Sequence, residues 1–264
     1  MADSVKLYTL GVGDAFTTRH FNTHVLMDID GREVFLDCPP YLPKMLATNN
    51  REGTRQVEHT QYREIFITHM HADHVNGLEE LAYLQYYVTE NPIKLYAPQW
   101  LLSDIWSSLR PSLEESARGD GGLANFDWFF DAQPIEPGMD LGGFTVDFTE
   151  TRHHPRCLQY KFDFGGVKFG YAPDAGVDKQ KWAWFDDCDL VMHDAWFGPT
   201  DALGADIRNL HSPIEDLLSM PQDFQEKTLM VHYADGAYDD DPDQPSEDIG
   251  HYRLARQFHT YDLK

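Results

Sequence analysis

The stretch His69-Met-His71-Ala-Asp73-His74 puts four metal-binding side chains within six residues. It follows Glu64-Ile-Phe-Ile-Thr68, an apolar run that reads as a buried strand. In an extended chain residues i and i+2 point to the same side, so His69 and His71 can meet one cation. Asp73 and His74 fall at the start of a helical stretch and can meet a second. Imidazole nitrogens with carboxylate oxygens suit Zn²⁺, and also Mn²⁺ or Fe. A histidine cluster behind a buried strand has no packing use, so metal chemistry is the reading it supports.

The elements that must position this cluster are mostly strands. Val5–Leu10, His24–Asp30 and Val34–Cys38 read as an opening β-rich unit, with Gly31 as a hairpin turn. Tyr41–Thr48 is expected to be a short helix and the polar stretch 49–63 a loop. Leu78–Glu90 carries apolar residues at helical spacing. Ile93–Ala97 reads as a strand, and Gln99–Ala117 as a helix with Pro111 as a kink or break. Phe144–Arg152, Gln159–Phe164 and Val167–Tyr171 read as strands, the last two joined by Gly165-Gly166. Helix Asp178–Phe185, strand Asp189–His193, helix Pro213–Met220 and strand Lys227–His232 follow. Residues 239–248 read as an acidic loop, and Ile249–His259 is expected to close the fold as a helix. Two packed sheets with helices outside, in one α/β domain over 1–264, accommodate this order. The segment 118–138, glycine-rich and then aromatic, reads as an insertion: a lid or a subunit interface.

The 264 residues include 44 acidic and 21 basic side chains, a formal net charge of −23. Hydrophobic residues make up 42% and aromatics 13%, enough for a large core and against bulk disorder. That acidity argues against large nucleic acids, whose phosphates need cationic partners, and against an anionic membrane. No apolar run approaches the ~20 residues of a membrane span. The first residues lack a basic stretch leading into an apolar one, so no secretory leader is expected. Three widely spaced cysteines, Cys38, Cys157 and Cys188, fit reduced thiols in a cytoplasm.

Thr68-His-Met-His-Ala-Asp-His-Val-Asn-Gly77 resembles the signature of the metallo-β-lactamase fold, a four-layer αββα sandwich. Leu10-Gly-Val-Gly-Asp-Ala-Phe16 is similar to the glycine-rich opening of its ribonuclease Z and phosphodiesterase branch. Phe35-Leu-Asp-Cys38 is similar to the next strand of that branch, with Pro39 in place of a glycine.

The resemblance implies a ligand set for two divalent ions. His69, His71 and either His153 or His154 would hold one. Asp73, His74 and His232, the last in Leu229-Met-Val-His232-Tyr, would hold the other. Asp174, in Tyr171-Ala-Pro-Asp174-Ala-Gly176, would bridge them, since a carboxylate has two oxygens. Val191-Met-His193-Asp194-Ala195-Trp196 resembles the His-Glu-Ala-Thr motif of ribonuclease Z, with Asp194 for the glutamate and Trp196 for the threonine. His211, twenty-one residues before His232, resembles the histidine that partners that carboxylate. Such a carboxylate fixes the imidazole's tautomer, so His211 can protonate a leaving alkoxide. Asp73, Asp194 and His211 are the implied catalytic residues. Asp14 and the stretch Asn22-Thr23-His24 are further candidates for the site's surroundings.

Ribonuclease Z clamps precursor tRNA with a basic Gly/Pro-rich arm. Segment 118–138 has one basic residue, Arg118, against four acidic ones. The resemblance therefore implies a dinuclear hydrolase of a small phosphodiester, such as a cyclic nucleotide or a cyclic sugar phosphate, acting through metal-bound hydroxide. Alternative substrates in the same fold are lactones, thioesters and sulfate esters. A metal-binding protein without turnover is a further reading. A homodimer is the expected assembly.

Overall fold

A computed structural model describes residues 2–89, 91–115, 122–201 and 206–263. Fourteen strands in the described residues form two seven-stranded sheets. The first begins with the antiparallel β1 (Val5–Gly11), β2 (His24–Ile29) and β3 (Arg32–Leu36). Parallel strands β4 (Glu64–Phe66), β5 (Ile93–Ala97) and β6 (Phe130–Pro134) extend it. The second starts with the antiparallel β7 (Met139–Asp140), β8 (Thr145–Glu150) and β9 (Leu158–Asp163). It continues through β10 (Lys168–Ala172), β11 (Leu190–Asp194), β12 (Thr228–Val231) and β13 (Arg253–Leu254), parallel to one another. The chain then returns as β14 (His259–Asp262), antiparallel to β1.

The helices are α1 (Leu42–Glu52), α2 (Ala72–Val75), α3 (Gly77–Leu84), α4 (Gln99–Leu113), α5 (Lys179–Ala183), α6 (Ile214–Leu217) and α7 (Gln222–Glu226). This is the expected αββα sandwich. Its core is aromatic where the sheets meet. Phe66 lies edge-on to Tyr160 and Phe162, at ring separations of 5.5 and 5.3 Å. Tyr160 is buried, and its hydroxyl donates to the Ile67 carbonyl of the facing sheet at 2.7 Å. Burying such a ring contributes about 2–3 kcal/mol, and the hydroxyl's bond removes the cost of its burial.

The hairpins follow their turn residues. Gly31, Gly165 and Gly166 sit at φ 86°, 90° and 101°, where a side chain would be strained. Three expectations fail. Helix α1 runs on to Glu52 because Asn49, read as loop, is buried and accepts a hydrogen bond from Tyr8 at 2.6 Å. Segment 118–138 is not simply an insertion. Its first four residues lie outside the described ones, but Phe130–Pro134 pairs with β5 as the edge strand β6. Phe129 and Phe130 are core residues. The C-terminal stretch 249–259 is not helical. Gly250 and Phe258 take φ of 61° and 58°, which break a helix, and the chain forms the edge strands β13 and β14.

Candidate metal centre

The parallel strands β4, β10, β11 and β12 carry site residues at their carboxyl ends: His69, Asp174 and His232 follow β4, β10 and β12, and Asp194 ends β11. Crevices beyond the carboxyl ends of parallel strands are the usual place for α/β sites. Ile67 and Thr68 carry the chain from β4 to His69. Helix α2 then begins with His71 as its N-cap and presents Asp73 and His74 from its single turn. Gly77 lies against the chain after β3. A Cβ there would meet the Pro39 carbonyl at 2.3 Å, so glycine is required for α3 to start so close.

The side chains converge. His69, His71 and His153 offer nitrogens within 4.8 Å of one another, and so do Asp73, His74 and His232 with one oxygen and two nitrogens. Asp174 lies between the groups. Its Oδ2 faces His74 Nε2 at 2.7 Å, His232 Nε2 at 3.5 Å and His69 Nε2 at 3.7 Å. Its Oδ1 faces His211 at 3.4 Å and His153 at 3.8 Å. His154, the alternative to His153, is exposed and belongs to none of the ligand groups.

The outer ring nitrogens are already committed. His74 Nδ1 donates to Asp37 Oδ2 at 2.9 Å. The Thr68 hydroxyl donates to Asp37 Oδ1 at 2.9 Å and receives His69 Nδ1–H at 3.0 Å. His153 Nδ1 donates to the Leu210 carbonyl at 2.8 Å. In their neutral forms His69, His74 and His153 would therefore aim lone pairs inward. His74 Nε2, His69 Nε2 and Asp174 Oδ2 are buried with no hydrogen-bond donor. His71 Nδ1 faces His153 Nε2 at 3.1 Å. Lone pairs and carboxylate oxygens crowded this closely require positive charge among them, so the residues fit divalent cations.

The proton affinities follow from the same crowding. Burial, reinforced by neighbouring imidazoles, holds His69 well below its ordinary pKa; burial also lowers His71 and His153. Burial opposes a charge on His74 as well, but Asp73, Asp37 and Asp174 outweigh it and hold its pKa well above the usual value. Burial would raise Asp73 and Asp174, but the facing histidines keep both well below the carboxylate range. The carboxylates thus draw a proton onto His74, a place a cation can take.

Beside it stands a second unit. Asp194, at the end of β11, accepts from His211 Nδ1 at 3.0 Å and from Ala175 N at 3.0 Å. Burial works against a charged His211, but Asp194, Asp174 and Asp14 raise its pKa to about 9. Its ring is stacked between Trp196 at 5.7 Å and His232 at 5.4 Å. Trp196, where the ribonuclease Z motif has threonine, fixes the ring plane.

Sequence reasoning gave no role to Asp37, Tyr171 or Cys157. Asp37 is buried and also accepts from Thr68 N at 2.8 Å and the Tyr171 hydroxyl at 3.1 Å. Cys157 Sγ lies 3.5 Å from His69 Nδ1. Asp37 at φ 62° and His232 at φ 55° hold left-handed backbone beside the centre, where strain tends to be stored. Of the other candidates, Asp14 is buried, and Asn22 caps the Asp14 carbonyl at 2.7 Å. Thr23 and His24 are core residues; His24 bonds to Leu36 O and Tyr62 rather than facing the site.

Fold and site together define a protein of the metallo-β-lactamase fold with a candidate centre for divalent metal. The YhfI metallo-β-lactamase fold protein of Bacillus subtilis aligns at a TM-score of 0.70, over 98% of this chain and 100% of that one, with 13% identity. Human tRNase Z, short form, aligns at 0.68 over 98% and 99%, with 18% identity. More particularly, the chain belongs to the Anti-Pycsar protein Apyc1 family, whose model matches residues 5–261. The Anti-Pycsar protein Apyc1 of Paenibacillus xerothermodurans is 28% identical over 267 residues, 98% of each chain. No helix in the described residues is long and apolar enough to cross a membrane.

Proposed function

We propose that this protein is a phosphodiesterase of a small cyclic phosphodiester, with a cyclic nucleotide as substrate. One observation carries the reading: a carboxylate-held imidazole, Asp194–His211, whose Nδ1 is 3.4 Å from the Asp174 carboxylate. His69, His71 and His153 would hold one divalent ion, Asp73, His74 and His232 a second, with Asp174 between; the nitrogen-rich donor set suits Zn²⁺. When bound, two such ions supply Lewis acidity for the phosphoryl oxygens and a nucleophile from water at neutral pH.

The chain's own residues do the rest. Asp194 fixes His211 with the proton on Nδ1 and leaves the opposite nitrogen for substrate. The raised pKa keeps the ring protonated near neutrality, so it can hydrogen-bond charge developing on oxygen and give a proton to the leaving alkoxide. Diester hydrolysis needs such an acid, because an alkoxide leaves poorly. Support for a small substrate comes from the net charge of −23, which repels a polynucleotide. Three free, buried cysteines support a reducing cytoplasm as its location.

The test is turnover of 3′,5′-cyclic nucleotides and bis(p-nitrophenyl) phosphate by metal-reconstituted protein, with His211→Ala alongside. Hydrolysis of both diesters by the wild type is expected, with turnover of the cyclic nucleotide falling in the variant. A loaded protein that leaves both diesters intact but opens lactones or thioesters would overturn the reading.

A further inference from the structure

A groove of about 810 Å³ is lined by Gln99 and Trp100 at the start of α4, Glu136, Glu150 at the end of β8, Arg156 and Leu158. Two hydrogen bonds and one short chain link fix its place. Leu158 N donates to the carbonyl of Thr68, the residue before His69, at 3.1 Å. Ile67 N donates to Tyr96 O at 3.3 Å, so the end of β5, from which Pro98 leads into α4 and Trp100, lies alongside the chain that enters the histidine stretch. Arg156 follows His153 by three residues, a reach of at most ~10 Å. The groove is therefore bordered by residues that bond to, or closely follow, the stretches carrying His69 and His153.

Its surface is unusual. The Arg156 guanidinium lies 3.9 Å from the centre of the Trp100 ring. Its edge is hydrogen-bonded to Glu150 through both Nε and a terminal nitrogen. The guanidinium is thus pinned flat, with one face on the indole and its charge neutralised by a carboxylate. The other face is a planar shelf. Glu136 and Glu150 make the groove unfavourable for a second anion, whereas a neutral flat ring gains stacking and loses no charge–charge energy.

We infer that Trp100 and Arg156 form a stacking subsite for the nucleobase of the substrate. The proposal rests on the phosphodiesterase reading and deepens it, favouring a nucleotide over a bare sugar phosphate. A phosphate held at the ligand cluster would leave its base in this groove, where Gln99 offers polar groups to the base edge. Stacking of this kind reads a ring's face and tolerates any base.

The experiment compares kcat/KM of the metal-loaded full chain on a 3′,5′-cyclic nucleotide and on methyl riboside 3′,5′-cyclic phosphate, which lacks the base. The wild type should prefer the nucleotide, and R156A and W100A should each cut that preference about tenfold, through KM. R156K, charged but not planar, should not restore it. An unchanged preference in R156A overturns the inference. W100A could misfold, so the exposed Arg156 carries the decision. Failure of the broader reading shows separately, as absence of turnover on both diesters. In that event saturable quenching of tryptophan fluorescence by a nucleoside, lost in R156A, still supports the subsite, and no quenching overturns it.

Discussion

Asp194 divides one oxygen between two donors: its Oδ2 accepts from His211 Nδ1 and from Ala175 N, each at 3.0 Å. The backbone amide belongs to the residue after Asp174, so the acid–base pair is tied to the candidate bridging carboxylate. Neither can shift without the other.

That coupling gives a leaving-group prediction. His211→Ala should lower kcat on a cyclic nucleotide by about 10²–10⁴-fold, the usual worth of a positioned general acid. On bis(p-nitrophenyl) phosphate the loss should be much smaller, because p-nitrophenolate leaves without protonation. Asp194→Asn, which keeps the shape but not the charge, should cost roughly 10–100-fold. Equal losses of the two substrates would refute a proton-donor role for His211.

Adjacent histidines make the metal assignment testable. His153 Nδ1 is bonded to Leu210 O and its Nε2 faces His71, whereas His154 is exposed. His153→Ala should bind one fewer equivalent of Zn²⁺ by elemental analysis, and activity should fall with it. His154→Ala should keep the full metal content. The reverse pattern would assign the ligand to His154.

Asp37 touches no substrate in this reading, yet it holds His74 directly and His69 through the Thr68 hydroxyl. Asp37→Asn retains the volume but puts a donor where one of the two oxygens accepts, facing either the Thr68 donors or His74 Nδ1–H and the Tyr171 hydroxyl. Metal affinity should fall about 10–100-fold, as for other groups that orient ligands. Competition with a chelator measures this, and a smaller fall would show that packing alone orients His74.

Much of this was legible because the signals were local. The ligand stretch 69–74 carries its own spacing, and turn glycines such as Gly31 and Gly165-Gly166 require their conformations. Strand Phe130–Pro134 was hidden because only pairing with β5 makes its polar sequence Asp-Ala-Gln extended. The inward placement of His153 depends on Leu210, 57 residues away. Asp37 was in a quoted motif, but nothing local shows that four groups converge on it. The C-terminal strands β13 and β14 exist only as edges of sheets begun elsewhere.

His24 gives a stability prediction away from the metal. It is fully buried between Leu36 O at 3.1 Å and the Tyr62 hydroxyl at 2.8 Å, stacked on Phe35 and Tyr62. Burial pushes its pKa from 6.5 down to about 4. In the unfolded chain it would titrate near 6.5, so between those values the unfolded state binds more protons. Stability is then fully present above pH 6.5 and is lost as pH falls toward 4, by up to ~3 kcal/mol at ~1.4 kcal/mol per pH unit. His24→Gln keeps a side-chain hydrogen-bonding group but cannot titrate. Urea unfolding at pH 7 and pH 4.5 should show the variant less stable at pH 7 and losing about 2 kcal/mol less than the wild type on acidification. Equal acid sensitivity in the two proteins would mean that His24 accepts its proton without unfolding.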